Sequence, residues 1–270
     1  MEDYQHLLIE RDGHIATVWL NRPEKLNALS ADMWDDLPLA MADLDKDDGI
    51  RVIVVAGKGD AFTVGIDVGM LAGLAPSGPS PASTSKGLYR KIKELQETFS
   101  VFSRSAKPTI SAIHGYCLGA GMDLITACDL RLCSSDASFS IRETKMGLVA
   151  DVGTLQRLPD IVGSGHTAEL AFTGRDIDAV RAKEIGLVSR VEADRETLLA
   201  AAHELAGQIS ENSPLVLEGV KRVMQANRGR SVDEALDYVA QWNSAYLLSN
   251  DLFEATSAFM EKRKPEFKGE

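Results

Sequence analysis

Two carboxylates lie on either side of a mostly apolar stretch in the middle of the sequence. Glu143 and Asp151 are eight positions apart, and the residues just before Asp151 are 147–150, with the sequence GLVA. Apolar surroundings raise the pKa of a carboxyl group, and two neighbouring carboxyls push their pKa values apart. The pair could therefore provide one general acid and one general base.

Both carboxylates also have structural interpretations. Asp151 could cap a helix that the pattern predicts from Val152 onward, because an aspartate side chain readily accepts from the first N–H groups of a helix. Glu143 could pair with Arg142 or Lys145 at the surface, where an ion pair contributes little free energy. The residue types alone favour these structural interpretations.

A third carboxylate, Asp123, follows a turn of small residues. Residues 114–123, HGYCLGAGMD, come after a predicted strand and open a helix that reaches Cys128. A helix N-terminus has unpaired N–H groups and the positive end of the helix dipole, which suit a developing oxyanion. The N–H of Ala120 is the candidate donor. Asp123 could take part in the chemistry or only stabilise the dipole, and its residue type does not decide between them.

A second candidate donor lies in residues 62–67, FTVGID. Gly65 permits an unusual backbone angle that could turn the N–H of Ile66 into a cavity. The same spacing also fits an ordinary glycine between a strand and a loop, which is the simpler interpretation of this segment alone.

Short runs of β-branched and apolar residues predict strands along the first 191 residues. The predicted strands cover residues 7–10, 15–20, 52–56, 109–113, 130–133 and 187–191. The first two flank an Asp-Gly turn and should form a hairpin. The third is apolar throughout, as expected for a strand buried on both faces. With helical stretches between them, the strands predict an α/β fold.

Helices should replace strands after about Arg195. An early helix is predicted from a Ser30 cap to about Leu44. The late helices should begin near Glu196, Pro214 and Ser231, with a last piece over residues 252–262. We therefore predict an α/β core with the active site over residues 1–194 and a helical oligomerisation region over residues 195–270. Residues 75–87, rich in Pro, Ser and Gly, predict a mobile loop.

The chain carries a formal net charge of -11. Its field repels the phosphates of nucleic acids and of anionic membranes, and no dense run of Lys or Arg offsets it. No apolar run reaches membrane-spanning length. We therefore expect neither nucleic acid nor a membrane as a partner, and an anionic ligand would need basic side chains gathered locally.

The cysteines predict a reducing compartment. Cys117, Cys128 and Cys133 are odd in number and lie in apolar stretches, which is typical of buried thiols rather than disulfides. No histidine lies within ligand spacing of a Cys pair, and His114 fits a core or turn position, so we expect no metal site. Neither end of the sequence reads as a signal, transit or peroxisomal peptide, so the expected location is the cytoplasm.

In this order, the segments around Ile66, Ala120 and Asp151 resemble the enoyl-CoA hydratase/isomerase family, also called the crotonase family. The resemblance runs from the first predicted strands to about Val191. It includes residues 21–29 (NRPEKLNAL), 171–175 (AFTGR) and 182–188 (AKEIGLV). It implies a crotonase-like spiral of repeated ββα units with a C-terminal helical region, and an acyl-coenzyme A thioester as the substrate.

The resemblance also implies roles for single residues. Ile66 and Ala120 would supply the two N–H groups of an oxyanion hole. Ala120 stands where the family often has glycine, a change that keeps a backbone donor. The residues implied at the coenzyme A thioester are Lys25, Leu26, Ala28, Gly65 and Asp67.

Residues 147–159, GLVADVGTLQRLP, closely resemble the dienoyl-CoA isomerase branch of this family. Enzymes of this branch move both double bonds of a 3,5-dienoyl thioester to the 2,4 positions. The resemblance implies that Asp151 is the base at C2, that Glu143 is the acid that protonates C6, and that Asp123 is a nearby electrostatic or positioning group. The thioester itself accepts the electrons, so no metal or redox cofactor is expected and coenzyme A is part of the substrate.

Alternative functions remain open at this point. Family hydratases have acidic residues at the positions of Asp123 and Glu143 and typically glycine where this chain has Asp151, so an enoyl-CoA hydratase is the nearest alternative. A dehalogenase with an aspartate nucleophile is a weaker one, and a non-catalytic scaffold or RNA-binding relative is a third, which the acidic charge disfavours. The resemblance further suggests a homotrimer or homohexamer.

Overall fold

The computed structural model describes residues 4–73 and 78–270. Its strands are β1 (Leu7–Asp12), β2 (Ile15–Leu20), β3 (Val52–Gly57), β4 (Thr109–Ile113), β5 (Tyr116–Leu118), β6 (Leu130–Ser134), β7 (Ser138–Ser140), β8 (Ile177–Asp178) and β9 (Arg190–Glu192). Its first six α-helices are α1 (Ala31–Lys46), α2 (Val68–Gly73), α3 (Pro81–Arg104), α4 (Ala120–Ala127), α5 (Thr154–Val162) and α6 (Ser164–Thr173). The remaining helices are α7 (Ala179–Glu184), α8 (Arg195–Ser210), α9 (Pro214–Ala226), α10 (Val232–Tyr246) and α11 (Asn250–Glu261). Two 3₁₀ turns cover Pro23–Lys25 and Glu143–Met146.

The strands form a large and a small sheet. The large sheet has the order β1-β2-β3-β4-β6-β9, in which only the β1–β2 hairpin is antiparallel. The small sheet has the order β5-β7-β8. Every residue of β3 is buried, as its uniform apolar sequence predicts for a strand covered on both faces. The predicted hairpin and the α/β fold are confirmed.

Helix α8 covers one face of the large sheet. Its apolar residues Leu198, Ala202 and Ala206 are buried in a cluster with Val54 and Ala112 of the sheet. Asp194 caps this helix, accepting from Thr197 N at 2.8 Å. A helix therefore begins where the sequence predicts the helical region, but this first helix packs against the α/β core.

A buried lysine ties the C-terminal helices to the sheet. Lys221 of α9 lies 2.7 Å from Asp129 Oδ2 and donates to the carbonyls of Phe102 and Lys107. Only 4% of Lys221 is exposed, so its charge is compensated by these three oxygens. The contact fixes α9 next to the end of α3 and the start of β4. Within the described residues, we find no helix with the length and apolar character needed to cross a membrane.

The loop predicted over residues 75–87 and the strand predicted over residues 187–191 have wrong boundaries. Of the predicted loop, residues 75–77 lie outside the described residues, but α3 begins at Pro81, where Ser80 and Ser83 form a capping box. Proline in the first turn and a serine cap favour the start of a helix. The Pro and Ser content of this segment was therefore wrongly taken to indicate a loop. The strand predicted over residues 187–191 is β9, Arg190–Glu192, and pairs with the end of β6.

Candidate active site

A cavity of about 750 Å³ opens between α3, the start of α4 and the loop before α5. Ligand sites of this size hold drug-sized or larger ligands. Its walls are mainly apolar, and they include Glu143 and Asp151, the two carboxylates that the sequence predicts as acid and base. The lining residues are Trp34, Val64, Gly65, Ile66, Val68, Leu88, Lys91, Ile92, Leu95, Leu118, Gly119, Ala120, Arg142, Glu143, Met146, Leu148, Val149, Asp151 and Val152.

Gly65 brings the two glycine segments of the sequence into direct contact. Its φ is +90°, and a Cβ atom at this position would lie 2.6 Å from the carbonyl oxygen of Leu118 and 3.3 Å from the nitrogen of Ala120. Only glycine combines this backbone angle with this close approach. The bridge between Thr63 and Cys117 holds the same two segments together.

The N–H groups of Ile66 and Ala120 have no acceptor among the described residues. Ala120 is the first residue of α4, so its N–H lies outside the hydrogen-bond ladder of the helix. The neighbours of Ile66 make the pairing bonds to Leu29 instead. Both residues line the cavity. The arrangement offers two unpaired backbone donors to a negatively charged oxygen.

Glu143 opens a 3₁₀ turn at the cavity wall. Burial raises the pKa of its carboxyl, and the charge of Asp151 raises it further. Its Oε2 is buried without a hydrogen-bond partner. A Cβ atom at Gly119 would lie 3.4 Å from Glu143 Oε1, so the glycine leaves space beside the carboxyl. These features favour a protonated Glu143 that can donate a proton.

Asp151 lies on the loop before α5 and lines the same cavity, although much of the residue is exposed. Partial burial raises the pKa of its carboxyl. The interpretation of Asp151 as a helix cap is wrong, because α5 begins at Thr154 and Gly153 is its N-cap residue. Asp151 is therefore free to face a ligand.

Asp123 lies behind the cavity wall and not on it. It is fully buried in α4, and its Oδ1 accepts from the backbone N–H of Thr154 at 2.6 Å, which caps α5 from another helix. Its Oδ2 is buried without a partner. Burial raises the pKa of Asp123 to about 7, and the charge of Glu143 adds to the shift. Asp123 thus supports the start of α5, and its own pKa responds to the charge of Glu143.

The raised pKa of Asp123 predicts a pH-dependent stability. The folded protein binds this proton more tightly than the unfolded chain, so the stabilisation is complete below the unfolded value of 3.8 and is lost as the pH rises through about 7. Asparagine keeps the acceptor for Thr154 but carries no charge. As the pH is raised from about 5 to about 8, we expect the melting temperature of Asp123→Asn to fall less than that of the wild type. Equal losses in thermal melts of the two proteins would contradict this assignment.

The remaining site residues from the sequence lie on segments next to the cavity, but they do not line it. Asp67 Oδ2 pairs with the Arg22 guanidinium at 2.6 Å, which lowers the pKa of the Asp67 carboxyl. Lys25 is exposed, and Leu26 has a left-handed backbone with φ 49°. The Leu26 carbonyl accepts from Val64 N at 3.2 Å, so the segment that contains Ala28 borders the wall formed by Gly65.

The cavity wall that α3 provides was not predicted from the sequence. Leu88, Ile92 and Leu95 recur at helical spacing and line the cavity. Lys91 lies among them. The helical spacing of these apolar residues was the signal that could have predicted this wall. The Pro, Ser and Gly residues before them predicted a loop instead of the start of a helix.

Comparison with known proteins agrees with this geometry. The sequence profile of the enoyl-CoA hydratase/isomerase family matches residues 10–270. The chain belongs to this family. An enoyl-CoA hydratase structure from Bacillus anthracis has a TM-score of 0.90 at 29% identity and covers 98% of this chain and 100% of its own. The predicted crotonase fold is confirmed.

Similar family members carry a more specific name. A peroxisomal Delta(3,5)-Delta(2,4)-dienoyl-CoA isomerase of Arabidopsis thaliana is 45% identical over 99% of this chain and 98% of its own length. A mitochondrial Delta(3,5)-Delta(2,4)-dienoyl-CoA isomerase of Mus musculus is 45% identical over 93% of this chain and 77% of its own length. The expected cytoplasmic location is contradicted, because these relatives are named as peroxisomal and mitochondrial proteins. The composition of the chain ends did not carry this information.

Proposed function

We propose that the protein is an isomerase that converts 3,5-dienoyl-CoA to 2,4-dienoyl-CoA in fatty acid beta-oxidation. One observation carries the proposal: two carboxyls with raised pKa values line the same cavity as two unpaired backbone N–H groups. Its relatives named as dienoyl-CoA isomerases support the same reaction.

The first step removes a proton from C2 of the substrate. This proton lies between the thioester carbonyl and a vinyl group, so its loss gives an enolate that extends along the diene. The N–H groups of Ile66 and Ala120 stabilise the enolate oxygen as an oxyanion hole. The thioester is the electron acceptor, so this chemistry requires neither a metal nor a redox cofactor.

The environments of the two carboxyls support our assignment of the two proton transfers. Asp151 is the more exposed group, so it ionises more readily and acts as the base at C2. Glu143 is more buried, and the negative charge of Asp151 raises its pKa further, so it keeps a proton and delivers it to C6. Asp123 adds a further buried carboxyl behind Glu143, as a positioning and electrostatic group.

The test of this function is an ultraviolet time course with purified protein. A 3,5-dienoyl-CoA should give a growing conjugated 2,4-dienoyl absorption, while a 2-enoyl-CoA control is hydrated much more slowly. Hydration of the control without any dienoyl product would refute the proposal.

Gly65→Ala is expected to disrupt the oxyanion hole. The new Cβ would meet the carbonyl oxygen of Leu118, and φ +90° is unfavourable for alanine, so Ile66 or Ala120 must move. Loss of one donor lowers kcat by about 10²- to 10³-fold. Steady-state kinetics beside Gly165→Ala check this, because position 165 has open space for a Cβ. Similar activity in both variants would rule out the role of Gly65.

An enoyl-CoA hydratase that uses Asp123 and Glu143 is the second candidate. The fold supports this candidate, because the structure of the enoyl-CoA hydratase from Bacillus anthracis is similar to that of this chain. The position of Asp123 does not favour it, because the residue is buried behind the wall with one oxygen bonded to Thr154. Hydration of a 2-enoyl-CoA that survives Asp151→Asn would support this alternative.

The coenzyme A part of the substrate and the assembly complete the proposal. In this proposal, the thioester and its coenzyme A run along Gly65 of the cavity wall and along its neighbours Lys25, Leu26, Ala28 and Asp67. The chain assembles as a homotrimer or homohexamer through the helical region. Exposed apolar side chains on α9 to α11 support assembly, among them Val216, Val220, Met224, Leu236, Phe253, Phe259 and Met260.

A further inference from the structure

The backbone of Asp151 is held by a glutamine from α3. Gln96 Nε2 donates to the carbonyl oxygen of Asp151 at 2.7 Å. Lys93, one helical turn earlier, donates to Gln96 Oε1 at 2.7 Å, which fixes the orientation of the amide. An amide that presents its N–H₂ to this carbonyl links the cavity wall directly to the loop that carries Asp151.

An arginine holds the next residue of the loop. Arg157 of α5 donates to the carbonyl of Val152 at 3.4 Å and to Ser100 Oγ at 3.0 Å. Ser100 in turn donates to the carbonyl of Gln96 at 2.7 Å. The loop, α3 and α5 are therefore joined by one network of hydrogen bonds.

Gly153 shows how tightly this network is packed. A Cβ atom at Gly153, which has φ +134°, would lie 1.8 Å from Arg157 Nη1. The guanidinium thus occupies the space that a side chain would need. The conformation of the loop and the position of Arg157 depend on each other.

The direction of the Asp151 carboxyl is set through its backbone. In the described part of the chain, no other residue hydrogen-bonds to this carboxyl, and Asp151 belongs to neither a helix nor a strand. A base must lie within hydrogen-bond reach of the proton that it removes. A displacement of about 1 Å can cost about 10²-fold in rate.

We propose that Gln96 is a positioning residue for the base, with Arg157 as the second support of the same loop. Through the Asp151 carbonyl, Gln96 fixes the direction from which the carboxylate reaches the C2 proton. The inference rests on the proposed function, because it assigns Gln96 to the proton transfer by Asp151.

Two substitutions separate the hydrogen bond from the packing of Gln96. Gln96→Leu removes the amide, and Gln96→Glu keeps the length of the side chain but replaces the donor with an oxygen. We expect both variants to lower kcat by about 10- to 100-fold, with the KM for a 3,5-dienoyl-CoA and the melting temperature unchanged. Exchange of the C2 proton with D₂O should slow by the same factor. The control is Glu97→Gln. Glu97 is the next residue of α3 and is exposed, so this variant should behave as the wild type.

The outcomes distinguish this inference from the proposed function. A wild type without isomerase activity refutes the function itself. An active wild type with an inactive Asp151→Asn and fully active Gln96 variants refutes only the positioning role. A rise in KM with a lower melting temperature, or normal activity in Gln96→Glu alone, would show that Gln96 acts through packing and would also overturn the inference.

Discussion

Asp151→Asn is expected to lower kcat for the isomerisation of a 3,5-dienoyl-CoA by about 10²- to 10⁴-fold, the usual contribution of a general base. Asparagine has nearly the same size, and Asp151 holds Gln96 through its backbone carbonyl, so the loop should keep its position. The amide cannot accept the C2 proton. The loss should therefore appear in kcat, with little change in KM, and C2 exchange in D₂O should be lost as well.

The matched control for Asp151→Asn is Asp160→Asn. Asp160 is an exposed aspartate on α5, outside the lining of the cavity. It should retain wild-type kinetics. If Asp151→Asn isomerises as fast as this control, Asp151 is not the base.

Glu143→Gln should separate the two proton transfers. Glutamine imitates the neutral, protonated Glu143 but cannot release a proton to C6, so isomerisation should fall by about 10²- to 10⁴-fold. Removal of the C2 proton should continue, because Asp151 is intact. The proton on Asp151 can exchange with solvent, since this residue is exposed.

Mass spectrometry of the recovered substrate checks the effect of Glu143→Gln. After incubation in D₂O, the unreacted 3,5-dienoyl-CoA should carry deuterium at C2. Glu204→Gln, an exposed change on α8, serves as the control. If C2 exchange stops together with isomerisation, the two carboxyls do not act in separate steps.

Local patterns in the sequence were sufficient for much of the fold. The Asp-Gly turn of the β1–β2 hairpin, the apolar β3 and the Ser30 cap of α1 each depend on neighbouring residues, and all are found in the structure. Glu143 and Asp151 were selected by residue type and by the family resemblance, and they line one cavity. Their roles as acid and base stay predictions.

Contacts between distant residues could not be read from the sequence. The start of α5 depends on Asp123, which accepts from Thr154 N across 31 positions. The segments that contain Ile66 and Ala120 meet where Gly65 packs against the carbonyl of Leu118. Only the folded chain brings these residues together. The role of Asp123 as a cap of another helix was missed for this reason.

The most direct test of the central claim is to follow the isomerisation in D₂O and to identify the product by NMR and mass spectrometry. The proposed mechanism predicts a 2,4-dienoyl-CoA with one deuterium at C6 and no added water, because Glu143 delivers a solvent-derived proton there. A 3-hydroxyacyl-CoA, or a dienoyl product without deuterium at C6, would contradict it.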